Sequence, residues 1–260
     1  MAIRKSAALA VFALCALVGK AQADDSPMKT ETRHLQAFKD LEIDCSANTT
    51  FSIAPTTTVT ITAPANLLPL LLTKIEGDKL VVRRKGVSGI SMFPSFSSSD
   101  VKLEITGPSL RSISVLGSGS VKAPQLTGDK IDLSISGSGS IEANGALANN
   151  IALDVPGSGD IKLSGINGKS IKIGVEGSGR IKAEGVAEHV ESSITGSGEI
   201  EAKNLKAQSL DANIVGSGDL SAFASKSAVV KVTGSGDVTV GGNPAERRSE
   251  NTGSGDIAFK

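Results

Sequence analysis

The sequence predicts an all-β solenoid, a parallel β-helix wound from coils of about 20 residues. Two observations carry this. The tripeptide Gly-Ser-Gly recurs with its first glycine at Gly117, Gly137, Gly157, Gly177, Gly196, Gly216, Gly234 and Gly253, at spacings of 20, 20, 20, 19, 20, 18 and 19 residues. Around each triplet every second residue is apolar, as in Ile131, Leu133 and Ile135 before one and Ile141 and Ala143 after it, with Ser, Lys, Asp or Glu between. Alternation of this kind, rich in β-branched residues, marks a strand with one buried face. A fixed period near 20 residues marks a solenoid, because one such unit cannot bury its inward face until another stacks on it.

Each element follows from that frame. A unit reads as strand, Gly-Ser-Gly corner, short strand, a second break at Gly145, Gly165 or Gly185, and a short return. Glycine suits a corner because it accepts positive φ and leaves room where stacked backbones crowd. At about 4.8 Å between paired strands, eight coils make a rod roughly 35–40 Å long. The last unit replaces its inward aliphatics with Arg247, Ser249 and Asn251, which reads as a polar cap over an open sheet end. Residues 34–110 carry strand patterns without triplets, among them Phe51–Ile53, Val59–Ile61, Lys79–Val82 and Val101–Ile105. Residues 86–100, rich in Ser and Gly, read as a loop. The expected organisation is therefore one β-helix domain over 34–260, with a non-repetitive part at 34–110 and the repeats and cap at 111–260.

Residues 1–23 read as a cleaved signal peptide. Arg4 and Lys5 precede the apolar run Ala7–Val18, and Ala21-Gln22-Ala23 fits the small-x-small cleavage rule. Residues 24–33 read as a disordered lead-in. Loss of Arg4, Lys5 and Lys20 leaves 24 Lys+Arg against 27 Asp+Glu, a net charge of −3. That balance excludes a strongly basic nucleic-acid binder. No later stretch is long and apolar enough to cross a membrane as a helix. Cleavage also removes Cys15, and Cys45 alone cannot form an internal disulfide. Its place in the alternating run Leu41–Cys45 reads as a small buried hydrophobe.

Catalytic signals are weak. Gly168-Lys169-Ser170 ends like a phosphate-binding loop, but Leu163 stands where that motif needs its first glycine. The triplet serines lack the spacing of a nucleophile elbow. The two histidines, His34 and His189, read as solvated surface groups. With seven Phe and neither Trp nor Tyr, the chain has few rings for sugar stacking. No catalytic residue and no cofactor is expected. Two binding candidates remain. The residues after the triplets run Ser120, Ser140, Asp160, Arg180, Glu199, Asp219, Asp237 and Asp256, and in-register coils would line them up. The acidic end, Glu199, Asp219, Asp237 and Asp256, would repel itself, and a hard cation such as Ca²⁺ would relieve that. A solvated face that discourages aggregation is the plainer alternative. Met92, Phe93 and Phe96, on the Ser-rich loop, are either a lid over the core or a patch for docking a partner.

The chain resembles the auto-transporter adhesin head GIN domain family, found in exported bacterial proteins. The resemblance covers about 33–258. It rests on His34–Ile43, Ala65–Leu68, Glu76–Leu80, Gly107–Leu110 leading into Val115–Gly119, and the repeated triplet units. It implies a right-handed β-helix, a cell-envelope setting and no established catalytic residues. The expected function is that of an exported, non-enzymatic protein with an adhesin-like or envelope-binding role, at the periplasm or the cell surface. Its ligand would be an envelope, surface or glycan component. A polysaccharide-active enzyme on the same fold, or a purely structural envelope component, are the alternatives.

Overall fold

The computed structural model describes residues 26–85 and 100–260. It is a β-solenoid of about seven turns with coils of about 20 residues. The signal peptide and Met92, Phe93 and Phe96 lie outside the described residues. The N-terminal strands are β1 (Met28–His34), β2 (Asp40–Asp44), β3 (Asn48–Ile53), β4 (Thr58–Pro64), β5 (Leu71–Glu76), β6 (Lys79–Arg84) and β7 (Lys102–Gly107). Next come β8 (Ser112–Val115), β9 (Ser120–Ala123), β10 (Leu126–Thr127) and β11 (Lys130–Ile135). Five long, bent strands follow: β12 (Ser140–Gly157), β13 (Asp160–Gly177), β14 (Arg180–Gly196), β15 (Glu199–Gly216) and β16 (Asp219–Gly234). The chain closes with β17 (Val238–Gly241), β18 (Glu246–Gly253) and β19 (Ile257–Phe259).

Each repeat coil has three sides: a face before the triplet, a face after it, and a return side beyond the second corner. Strands pair in parallel with the same strand one coil away, as in Ile141↔Ile161↔Ile181. The inward residues therefore stack in columns. Leu153, Ile173, Ser192, Ala212 and Val230 form one, and Val155, Val175, Ile194, Ile214 and Val232 another. The aliphatics of these columns are buried and form one continuous core with the N-terminal part.

Backbone hydrogen bonding runs through the triplet corners from Gly157 onward. Ser158, Ser178, Ser197, Ser217, Ser235 and Ser254 each donate their N–H to the first triplet glycine one coil back, at 2.8–3.1 Å. Such close stacking explains both glycines of the triplet. A Cβ on Gly157 would stand 2.8 Å from the carbonyl oxygen of Gly137, and one on Gly159 would stand 2.5 Å from Ile135 Cγ2. From Gly177 onward the first glycine also has positive φ, +122° there. Crowding is thus the general reason for the triplet, and backbone conformation an added one in the later coils. Only the central serine points into solvent.

The N-terminal part continues the stack in an order that differs from chain order. β2 and β3 lie between β6–β7 on one side and β8–β9 on the other. The corner of that level is Cys45-Ser46-Ala47, with Gly117 and Gly119 packed against its backbone. Burial, with the charge of Asp44 second, pushes the Cys45 thiol up to about 12. β4 and β1 then extend one face antiparallel, and β5 extends the other. Leu67, Leu68 and Leu71 around the 3-10 turn Leu68–Leu70, together with Phe38 and Phe51, complete the core at this end.

One expectation is corrected here. Residues 28–33 are not a disordered lead-in but most of β1, paired along its length with β4. Thr30 and Thr32 join their hydroxyls to those of Thr62 and Thr60 at 2.9 and 3.2 Å. At the other end β18 pairs in register, so Arg247, Ser249 and Asn251 follow Ala228, Val230 and Val232 in the inward columns. Arg247 donates to the Pro244 carbonyl at 2.7 Å and lies over the Phe259 ring at 5.4 Å.

Three outcomes test this packing. Gly177→Ala is expected to destabilise the fold by about 2–4 kcal/mol, combining strain with overpacking, whereas Ser178→Ala stays within about 0.5 kcal/mol in urea unfolding. Thr49 and Ser192 are buried in aliphatic columns with hydroxyls that have no partner. Thr49→Val and Ser192→Ala should each raise stability by about 1 kcal/mol, read from the same denaturation curves. Iodoacetamide at pH 8 should leave Cys45 unmodified in the native protein and alkylate it once urea unfolds the chain.

Candidate functional site

The face after the triplet is a zipper of charges. Ser120, Ser140, Asp160, Arg180, Glu199 and Asp219 lie in one register line, as the sequence spacing predicts. Arg180 Nε bonds Glu199 at 2.8 Å, and that bond holds the Arg180 guanidinium above its usual range. In the parallel line Lys162 reaches Glu142 at 2.9 Å and holds its carboxyl below the usual range, with Lys122 on its other side at 3.6 Å. These pairs are exposed, and exposed pairs contribute little stability.

The acidic end of the line is occupied with its own backbone. Asp219 Oδ1 accepts the N–H of Asp237 at 3.1 Å, and Asp237 Oδ1 accepts that of Asp256 at 2.9 Å. In the earlier coils a glycine carbonyl does this work, as Gly179 does for Glu199 and Gly198 for Asp219. Two of the four carboxylates therefore replace a ladder acceptor where the repeat shortens. Among the described residues no group of three or more His, Cys, Asp or Glu is placed to hold a metal ion.

The return side carries the feature that alternation alone does not flag. Thr127, Leu147, Asn167 and Val186 follow one another in register, one per coil, with their side chains outward. Leu147 and Val186 are 52% and 50% exposed. Beside them, at the third corner, run Asn149, Lys169, Glu188 and Gln208. The two rows border a shallow groove of about 600 Å³ whose lining includes Gly128 and Gly168. A Cβ at Gly168 would stand 2.8 Å from Ile171 Cδ1 and 3.1 Å from the Ala148 carbonyl oxygen, so a side chain there would crowd the corner. The Gly168-Lys169-Ser170 sequence is thus a strand corner beside a groove, within β13.

At Thr127 and Gly128 the groove meets a second hollow of about 520 Å³. Its charges are largely paired with one another. Arg111 grips Asp40 through two hydrogen bonds of 2.9 and 3.0 Å, Lys79 bonds Glu42 at 2.8 Å, and Lys130 bonds Asp132 at 2.8 Å.

The histidines divide. His34 is exposed on β1. His189 stands at the third corner between Ser170 and Ser209 in register, and its Nδ1 lies 2.9 Å from Ser209 Oγ. Its Nε2 lies 3.7 Å from Asp211 Oδ2, beyond hydrogen-bond distance. This is a serine-histidine-carboxylate grouping that register builds from residues 20 apart, and spacing along the chain does not reveal it. The His189 and Asp211 side chains are 40% and 56% exposed, so water reaches them freely. Nucleophilic catalysis needs an imidazole held by its carboxylate and a preorganised oxyanion site. The first of these is not met.

No helix among the described residues is long and apolar enough to cross a membrane. Comparison with solved structures gives the same fold. A crystal structure from Parabacteroides distasonis, described as a "Putative lipid binding protein", has a TM-score of 0.80 at 24% identity and covers 91% of this chain and 98% of that one. A second from the same organism, described as a "putative adhesin", has a TM-score of 0.80 at 20% identity with the same coverage. One from Parabacteroides merdae, also described as a "putative adhesin", has a TM-score of 0.76 at 18% identity and covers 91% of this chain and 97% of that one. No curated protein matches the chain. The family model described as "Putative auto-transporter adhesin, head GIN domain" matches residues 37–244, and the chain belongs to that family.

Proposed function

We propose that the protein is an exported, non-enzymatic, adhesin-like protein that holds a component of the bacterial envelope or surface along its return side. The observation that supports this is the groove itself. A rigid stack repeats outward side chains at one interval, and two aliphatic ones, Leu147 and Val186, stay half exposed in a border that is otherwise polar. Exposed aliphatics aligned in a groove are a usual mark of a binding surface. Export is supported by the Arg4–Ala23 segment and by the family, and a setting in the periplasm or at the surface goes with it. The groove is open and mixed in polarity and does not enclose an acyl chain, so a lipid ligand is less well supported. The exposed Ser209–His189–Asp211 group gives the enzymatic alternative its best foothold, and turnover of a bound ligand would favour it.

Cosedimentation of the mature protein with isolated bacterial envelopes tests the reading. The expected result is that wild type pellets with the envelopes and that Leu147→Asp/Val186→Asp, folded by circular dichroism, stays in the supernatant. A wild type that remains soluble overturns the function, and an unaffected double variant overturns the groove as its site.

A further inference from the structure

The groove has a repeat, and the repeat selects its ligand. Thr127, Leu147, Asn167 and Val186 recur once per coil, an interval of about 4.8 Å along the rod axis. Polar and aliphatic side chains alternate in that row. The column ends at Lys206, which turns away to lie 3.9 Å over the Phe223 ring. On the second row the charges of Lys169 and Glu188 cancel, and Asn149 and Gln208 are neutral amides, of which Gln208 accepts from Lys226 Nζ at 2.8 Å through its Oε1 and keeps its NH2 to donate.

Different polymers meet this interval differently. An extended peptide presents same-face side chains about every 6.6–6.8 Å and falls out of step within four coils. A polyanion finds Lys169 offset by Glu188, Lys226 bonded to Gln208, and further along Arg111, Lys79 and Lys130 bonded to Asp40, Glu42 and Asp132, with Lys39 accompanied by Asp129 in the lining. In a β-1,4-linked pyranose chain each ring advances by about the distance between neighbouring strands. Successive rings are related by roughly a half turn, so the chain alternates its edge in the sense in which the row alternates polar and aliphatic side chains. Planar amides suit paired hydroxyls, and aliphatic side chains suit the C–H faces of the rings where no aromatic ring is at hand.

Building on the binding role proposed above, we propose that the groove takes a neutral β-1,4-linked glycan laid parallel to the rod, one sugar per coil over four coils. Each unit then adds a similar increment of binding, and affinity grows with chain length until the coils of the groove are filled.

Calorimetric titration with chito-oligosaccharides of two to six units, with α-linked maltohexaose as the shape control, tests this. Affinity should rise from two to four units and then level off, and maltohexaose should not bind. Asn149→Ala/Asn167→Ala, both exposed positions, should weaken tetramer binding about tenfold while melting temperature is unchanged. Lys162→Ala, on the charged face, should bind as wild type. Equal binding of the α-linked hexamer, or affinity independent of length, overturns the proposal. If no oligosaccharide binds and none displaces wild type from envelopes, the glycan is wrong and the envelope role stands. If wild type also fails to pellet with envelopes, the broader role falls with it.

Discussion

Everything in this protein depends on how closely one coil can sit on the next. The hydrogen bond from a corner serine N–H to the glycine carbonyl beneath it fixes that approach at the point where a side chain would prevent it. Once the corners stack without a gap, the flanking strands have no freedom of register. A slip of one residue would turn an entire inward column outward. The aliphatic columns, the charged zipper and the groove are all consequences of corners that nest.

That dependence explains what the sequence discloses and what it hides. The triplets are legible because crowding rejects a Cβ at two positions of three and tolerates one between them. The inward columns are legible because burial enforces alternation. The line from Ser120 to Asp219 could be placed because it counts directly from the triplets. β1 was hidden for the opposite reason. It is an edge strand, exposed over nearly all its length and held by backbone pairing and threonine hydroxyls, so it has no buried face to imprint a period. The Cys45-Ser46-Ala47 corner lacks the glycine signature while taking the same place in the stack. The groove was missed because an outward Leu147 or Val186 looks like ordinary scatter until register sets the two in one row.

The faces of the rod have different chemistry. On the side after the triplet, charges meet partners one coil away and leave little for an outside ligand. At the acidic end Asp219 and Asp237 answer backbone N–H groups where the repeat drops to 18 and 19 residues. The return side is the one that sets Asn149 and Asn167 and the aliphatics Leu147 and Val186 outward on adjacent coils. Fold alone does not define what such a surface holds. The interval between coils narrows the choice more than any single side chain does.

The seat of β2 and β3 between β6–β7 and β8–β9 bears on the order in which the molecule can form. Repeat coils close loops of about 20 residues, but the level holding Asn48 joins Ser120 across 72 positions. The chain entropy lost in that closure exceeds the loss in a repeat closure by about 1 kcal/mol. A solenoid of local coils can nucleate anywhere and zip in either direction. Here the N-terminal level is the costlier place to start. Residues 40–53 gain their neighbours on that side only from β8 and β9, some 70 residues later in the chain.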